Sequence, residues 1–290
     1  MAKFLYAAHL PCLQRSVNLQ ELSFKTYKEL VKLIHNDDSL CITNALENII
    51  DTALEKKIDN ITFLDKLIIL LTIRAVCIYP DLELTITNPD SKQNYNLKFN
   101  INDIVDKINK LDVFLKYNNV TKSYNNLKIT YGIPSRLYYE STEQAVNSAI
   151  KKIRLNDTDV TNYKNDIYSA LPAYVYHDAQ KHIESIEKEI SEITLLSISL
   201  YNQDEKIEMI PSFFNNSILD FIKLCYKKDL NSLYETEYFL TSKIKMPYEI
   251  VANSTFAELM IYFGFYNEER QAAERENNKG INNPLTPQLK

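Results

Sequence analysis

From Phe63 to Ile78 the chain reads FLDKLIILLTIRAVCI, apolar nearly all the way round a helix. A helix without a continuous polar face cannot lie on a surface, so other elements have to wrap it. Asp65, Lys66 and Arg74 interrupt the run, which makes it a buried helix and no membrane span. Thr62 with Asp65 has capping-box spacing at its start, and Pro80 stops it. It is the expected centre of a first core. Arg74 inside it needs a carboxylate or several carbonyls as partners, because a buried guanidinium is costly alone.

The flanking segments supply the wrapping. Phe4 to Leu10 and Ser16 to Leu22 read as a hairpin around a turn at Pro11 to Arg15. LSFKTYKELVKLI then places Phe24, Tyr27, Leu30, Val31 and Ile34 on one helical face, capped by Ser23 or by Thr26 with Glu29. A second helix from about Ser39 carries Ile42, Leu46, Ile49, Ile50 and Ala53 inward. After Pro80 the period changes. Leu82, Leu84 and Ile86, then Tyr95, Leu97, Phe99 and Ile101, alternate around a turn at Asn88-Pro89-Asp90. A short helix from Asn102 to Lys110 and a strand at Leu127, Ile129 and Tyr131 complete a small α+β insert.

Helical period returns from Ser141, with Ala145, Val146, Ala149, Ile150 and Ile153 in one stripe. Asn156 to Asn165 reads as a loop, and Pro172 opens a helix through HDAQKHIESIEKEISEI. Leu195 to Tyr201 and Lys206 to Ile210 read as extended around a turn at Asn202-Gln203-Asp204. Three helices follow, bearing Ile218, Phe221, Ile222 and Cys225; Leu230, Leu233, Tyr234, Tyr238 and Leu240; and FAELMIYFGFYNEERQAAERE behind a second capping box, Thr255 with Glu258. Beyond Gln271 apolar residues nearly vanish. The expected architecture is mainly α with a small α+β insert, an N-terminal β-hairpin arm, a helical core and C-terminal helices. Its expected units are 1–80, 81–140 and 141–271, with a flexible tail at 272–290 that lacks the apolar area to order itself.

Composition excludes more function than it assigns. A net charge of -5 with scattered Lys and Arg argues against a general nucleic-acid binder, which needs a concentrated basic face. Three glycines furnish neither GxGxxG nor a phosphate loop. His177 and His182 lie five apart and share no metal-binding edge, while Lys181 and Lys188 interleave with Glu184, Glu187 and Glu189 as on a solvated face. Cys12, Cys41, Cys77 and Cys225 form no CxxC pair, and the last three sit in apolar segments, which suits a reducing compartment. The short apolar start, broken by His9 and Pro11, is too brief for a signal peptide. The expectation is therefore no catalytic, cofactor or metal residues.

What remains is aromatic surface. The chain has 20 Tyr and 12 Phe without a Trp, a balance that suits half-buried surfaces and also what an AT-rich genome would encode. Tyr262-Phe263-Gly264-Phe265-Tyr266 covers more than one side of a helix, so these rings either meet a partner or are buried between neighbours in the fold. Tyr262, Phe263, Phe265 and Tyr266, with Phe4 and Tyr6 on the arm, are the candidate protein-interaction residues.

Three stretches, LQELSFKTYKELVKLI, ITFLDKLIILLTIRAVCIYPDLELTIT and FIKLCYKKDLNSLYETEYFLTSKIKMPYEIVANSTFAELMIYFGFYNEE, together resemble the baseplate hub and tail-assembly proteins of T-even-like contractile phages. They cover about a third of the chain in a matching order, each chiefly as a pattern of apolar positions. The resemblance implies a virion baseplate subunit, present in the host cytoplasm during assembly. Its implied partners are other phage tail and baseplate proteins, with no nucleic acid, membrane or small-molecule substrate. A tail-assembly chaperone absent from the finished particle is the alternative it leaves open. An enzyme or regulator with a dispersed site is a third. The segment near Asn88 to Asn96 has no Cys to staple a metal hairpin.

Overall fold

A computed structural model describes residues 5–87, 94–110, 116–161, 171–200, 203–208 and 217–281. The expected Asn88-Pro89-Asp90 turn and Phe4 lie outside them, as do the side chains of Leu84, Ile86, Tyr95 and Leu97. The chain is mainly helical with small antiparallel sheets. It opens with strands β1 (Leu5–Leu10) and β2 (Arg15–Gln20), paired from Leu5 opposite Gln20 to Leu10 opposite Arg15. Helices α1 (Phe24–Asn36), α2 (Ser39–Ala53) and α3 (Phe63–Cys77) follow. Ser23 caps α1, accepting the Thr26 amide at 3.2 Å, so the alternative Thr26 box is not used.

Helix α3 is the hub of the packing: β1, α2 and three later helices all lie against it. Leu64, Leu67, Ile68, Ile69, Leu70, Leu71 and Ile73 are all buried, as a helix apolar on every side requires. Its capping box is complete. Thr62 accepts the Asp65 amide, and Asp65 accepts the Thr62 amide at 3.2 Å. Arg74 is satisfied by carbonyls: its Nε donates to the Cys225 oxygen at 2.7 Å, and Nη1 donates to the Tyr79 oxygen.

Strands β3 (Asp81–Thr87) and β4 (Asn94–Asn100) form a hairpin, after which α4 (Ile101–Asn109) packs on α3. Ile101 opens α4 rather than ending the strand, because Asn100 caps the helix by accepting the Asn102 amide.

Beyond α4 lies a four-stranded antiparallel sheet: β5 (Val120–Tyr124), β6 (Leu127–Tyr131), β7 (Ile150–Leu155) and β8 (Thr158–Asp159), in that order. Leu127, Ile129 and Tyr131 alternate inward on β6, which α6 (Ala173–Thr194) covers. Here the single helical stripe expected from Ala145 to Ile153 is corrected. Helix α5 (Thr142–Ala149) stops at Ala149, and Ile150 and Ile153 belong to β7.

The cause is a bulge. Tyr131 faces Ile150 while Thr130 faces Lys152, so Lys151 is the extra residue of the bulge. One extra residue puts Ile150 and Ile153 on the same buried face three positions apart, a spacing that imitates a helix. Gly132 adjoins the bulge, where a Cβ would come 2.7 Å from Lys151 Cγ. The sheet thus draws strands from both sides of residue 140. The expected loop after Asn156 is partly a tight turn into β8, with Asn156 and Asp157 at positive φ.

Strands β9 (Leu195–Leu200) and β10 (Gln203–Glu208) form the last hairpin, and Gln203 and Asp204 lie in β10 instead of the turn. The C-terminal helices are α7 (Ser217–Tyr226), α8 (Leu230–Tyr238) with a π-helical segment Phe239–Lys243, α9 (Tyr248–Asn253) and α10 (Phe256–Ile281). Helices α7 to α9 pack on α1, closing the two ends of the chain into one core. Lys28 of α1, almost wholly buried, pairs with Glu237 of α8 at 2.5 Å. Of the residues this helix bears, Tyr234 and Tyr238 are exposed, while Leu233 and Leu240 fill the buried side. Of the cysteines, Cys41 is exposed and Cys12 is buried in its place.

On α6, His182 lies between the rings of Tyr117 and Tyr131, each centroid 5.7 Å away. Burial pulls its pKa down to about 4, and Lys122 and Lys151 push the same way. The unfolded chain, with an ordinary imidazole near 6.5, takes up this proton first, so stability held above pH 6.5 is lost as pH falls toward 4. At pH 5 the loss from this residue is about 2 kcal/mol. His182→Phe should flatten the fall in melting temperature between about pH 7 and pH 5. An unchanged slope in calorimetry would show the ring titrates freely in the native state.

Candidate protein-interaction surface

The last long helix enters the core at its beginning. Thr255 and Glu258 close the second capping box: the Thr255 amide donates to Glu258 at 2.8 Å and the Glu258 amide to Thr255 Oγ at 3.1 Å. Phe256 drives into an aromatic cluster, stacked on Phe24 at 6.1 Å and edge-on to Tyr27 at 5.8 Å and Tyr79 at 6.1 Å. Leu259 is fully buried one turn on.

From Ile261 the helix leaves the core and the aromatic run divides. Phe263 and Tyr266 turn to the π-helical segment, where Phe239 meets them with ring centroids at 4.8 and 5.2 Å. Ile261 at 56%, Tyr262 at 46% and Phe265 at 58% relative exposure stay open to solvent. The run therefore divides between rings packed inside the fold and rings open to solvent. The π-helical segment is itself part of the reason. A wider turn after Tyr238 rotates Phe239 toward α10, and such segments often mark functional places in helices.

Tyr238, at 62% exposure, and Tyr248 add bare rings on α8 and α9 that sequence reading did not single out. The signal was present in Tyr238: it follows Tyr234 by four residues, on a face away from Leu233. Tyr234 itself lies under the ammonium groups of Lys28 and Lys32, at 5.1 and 5.7 Å. Tyr6 of the arm is half-buried, and its hydroxyl donates to Glu21 at 3.1 Å. Burial first, then the Glu21 charge, pushes this phenol up to about 12. Tyr6 is therefore an intramolecular tie, and the structure does not bring it together with the rings of α10.

Past Gln271 the helix continues to Ile281, into the segment expected to be a tail. Ala272 and Ala273 are strong helix formers, and Arg270 pairs with Glu274 one turn on at 3.0 Å. Residues 267 to 275 have no buried side chain. Among the described residues no group of three His, Cys, Asp or Glu side chains is placed to hold a metal. No helix among them is long and apolar enough to cross a membrane.

A chain built this way has large apolar side chains displayed on an outer helix. Comparison with protein-family models finds one that matches residues 1–215, described as T4 bacteriophage base plate protein. The chain belongs to that family. No curated protein and no solved structure matches it. Within the match fall the hairpin arm, helices α1 to α4 and the four-stranded sheet, while α7 and α10, which also pack on α3, lie beyond it. Of the exposed rings of this base plate protein, Tyr79 and Tyr174 lie inside the match, while Tyr234, Tyr238, Tyr248, Tyr262 and Phe265 lie beyond it, on α8, α9 and α10. The family resemblance seen in the first two sequence stretches thus coincides with the matched region, and the third begins at Phe221, after it.

Proposed function

We propose that this protein, to which its family gives a structural role in a phage baseplate, is a hub-type subunit that stays in the mature virion, after assembly in the host cytoplasm, and acts through contacts with other tail and baseplate proteins. It docks through the open side of α10, with the N-terminal arm as a second contact, and carries no reaction of its own.

The observation that carries this reading is the pair Ile261 and Phe265, one helical turn apart, both more than half exposed on a helix that has left the core. Burying what remains exposed of two such side chains against a neighbour is worth about 2–3 kcal/mol, enough to shift an association by more than about tenfold.

Phe265→Asp should leave the melting temperature of the isolated chain within about 1 °C, because the ring already faces water. It should weaken assembly with neighbouring tail proteins more than about tenfold. Phe263→Asp should differ by lowering stability about 2 kcal/mol, through the lost contact with Phe239. Mass spectrometry of purified particles adds the second arm, since stoichiometric presence is expected and absence from finished particles defeats the reading. Wild-type assembly by Phe265→Asp would defeat the docking face.

A further inference from the structure

A cleft of about 650 Å³ opens on the side of the core where β2 runs into α1, and it is bounded by α2, α3, α9 and the start of α10. Its floor is aliphatic, formed by Leu22, Ile49, Ala53 and Ile73, with Ile250 at the rim. The lining includes three carboxylates, Glu21, Glu249 and Glu258, and no Lys, Arg or His. Glu21 follows β2, whereas Glu249 and Glu258 belong to the consecutive helices α9 and α10, so folding brings the two ends of the chain to one place. Glu21 and Glu258 both act on Tyr6 and on Cys77, pushing each up after burial has done so, which places the two carboxylates close to one another. An apolar floor under acidic walls complements one chemistry: a side chain with an aliphatic stem and a cationic end.

We propose that this cleft binds a basic, aliphatic segment of a neighbouring polypeptide, its Leu, Ile or Val side chains on the floor and its Lys or Arg heads at Glu21, Glu249 and Glu258. The volume falls within the roughly 300–1,000 Å³ of clefts that enclose a ligand, which suits a short segment and no whole domain. This goes beyond the open face of α10, because the selectivity comes from charge and a concave floor. Tyr262 lines the cleft and is also exposed on α10, so a segment seated here would run on toward the ring of that residue.

The experiment uses the full chain and an array of randomised twelve-residue peptides. Binding is expected to select peptides rich in Lys or Arg interleaved with Leu, Ile or Val. Affinity for a selected peptide should fall about tenfold with Glu249→Lys, less with Glu249→Gln, and fall again as salt is raised from about 0.05 to about 0.5 M. Glu249 is exposed in the first turn of α9, so both variants should keep the native melting temperature. Phe265→Asp should leave peptide binding unchanged, which separates this cleft from the docking face proposed above. Selection of neutral or acidic peptides, affinity indifferent to Glu249→Lys, or no selective binding would each overturn the proposal. So would salt-sensitive dimerisation of the chain that Glu249→Lys abolishes, since the occupant would then be a second copy.

Discussion

Arg74→Ala should lower the stability of the isolated chain by about 4 kcal/mol, the largest loss expected from any exchange of one polar side chain here. Arg74 stands in the last turn of α3, 7% exposed, and reaches two backbone carbonyls from different parts of the fold. The Cys225 oxygen belongs to the last turn of α7, where a helix leaves carbonyls without internal partners and presents the negative end of its dipole. The Tyr79 oxygen lies just past the end of α3.

One cation therefore satisfies α7 and pins α3 to it. Burial lowers the pKa of the guanidinium, so desolvation opposes its charge. Removing the side chain leaves two acceptors with no donor, at about 1–3 kcal/mol each, and a void where the stem ran. At roughly 2 °C per kcal/mol for a chain of this size, the melting temperature should fall by about 8 °C. Arg74→Met refills the stem without donors and should recover about half of that. Calorimetry on the three proteins decides it. A loss within about 1 °C in Arg74→Ala would mean water replaces the guanidinium and α7 needs no pin.

Features carried by a single periodic segment were legible in the sequence. The run around Phe63 to Ile78 had to be central, and both capping boxes, Thr62 with Asp65 and Thr255 with Glu258, sit where the spacing put them. The inward face of α2 is the expected one, residue for residue. What escaped depends on pairing between segments. Ile150 and Ile153 take a helical spacing only because β7 bulges against β6, and a bulge is a property of two strands. Strand β5, VTKSY, is an edge with no buried position, so it carries no alternation.

The candidate surface divides the same way. That Tyr262 to Tyr266 could not all be buried follows from four rings on one helix, but which rings stay bare was decided by Phe239, from another helix. Tyr6 shows the limit from the other side. As a ring on a terminal strand it suggested contact with a partner, and its hydroxyl turns out to hold Glu21 at the end of its own hairpin. The acidic cleft was invisible because Glu21 is distant in sequence from Glu249 and Glu258, which sit on two separate helices.

Asp65→Ala should cost about 3 kcal/mol and loosen the hairpin arm from the core. Asp65 is wholly buried, yet every hydrogen bond it makes is local or reaches only to the arm. One oxygen accepts the Thr62 amide at 3.2 Å and its hydroxyl at 2.9 Å; the other accepts the Cys12 amide at 3.0 Å, in the turn between β1 and β2. The carboxylate thus starts α3 and holds the arm against it. Losing the cap costs about 1 kcal/mol, and an orphaned buried amide at Cys12 adds about 2.

Cys12 gives a local readout. Burial first, then the Asp65 charge, pushes its thiol up to about 12, which keeps it unreactive. Without Asp65 the thiol should ionise more readily and the turn open more often, so alkylation of Cys12 should rise more than about tenfold. Exposed Cys41 serves as the internal standard, and buried Cys77 and Cys225 report any general unfolding. Asp65→Asn keeps an acceptor for Cys12 but turns an amide donor toward Thr62, so it should lose the cap while Cys12 stays slow. Equal acceleration at Cys12, Cys77 and Cys225 in Asp65→Ala would show that the arm and the core open together, and that this carboxylate is no separate latch.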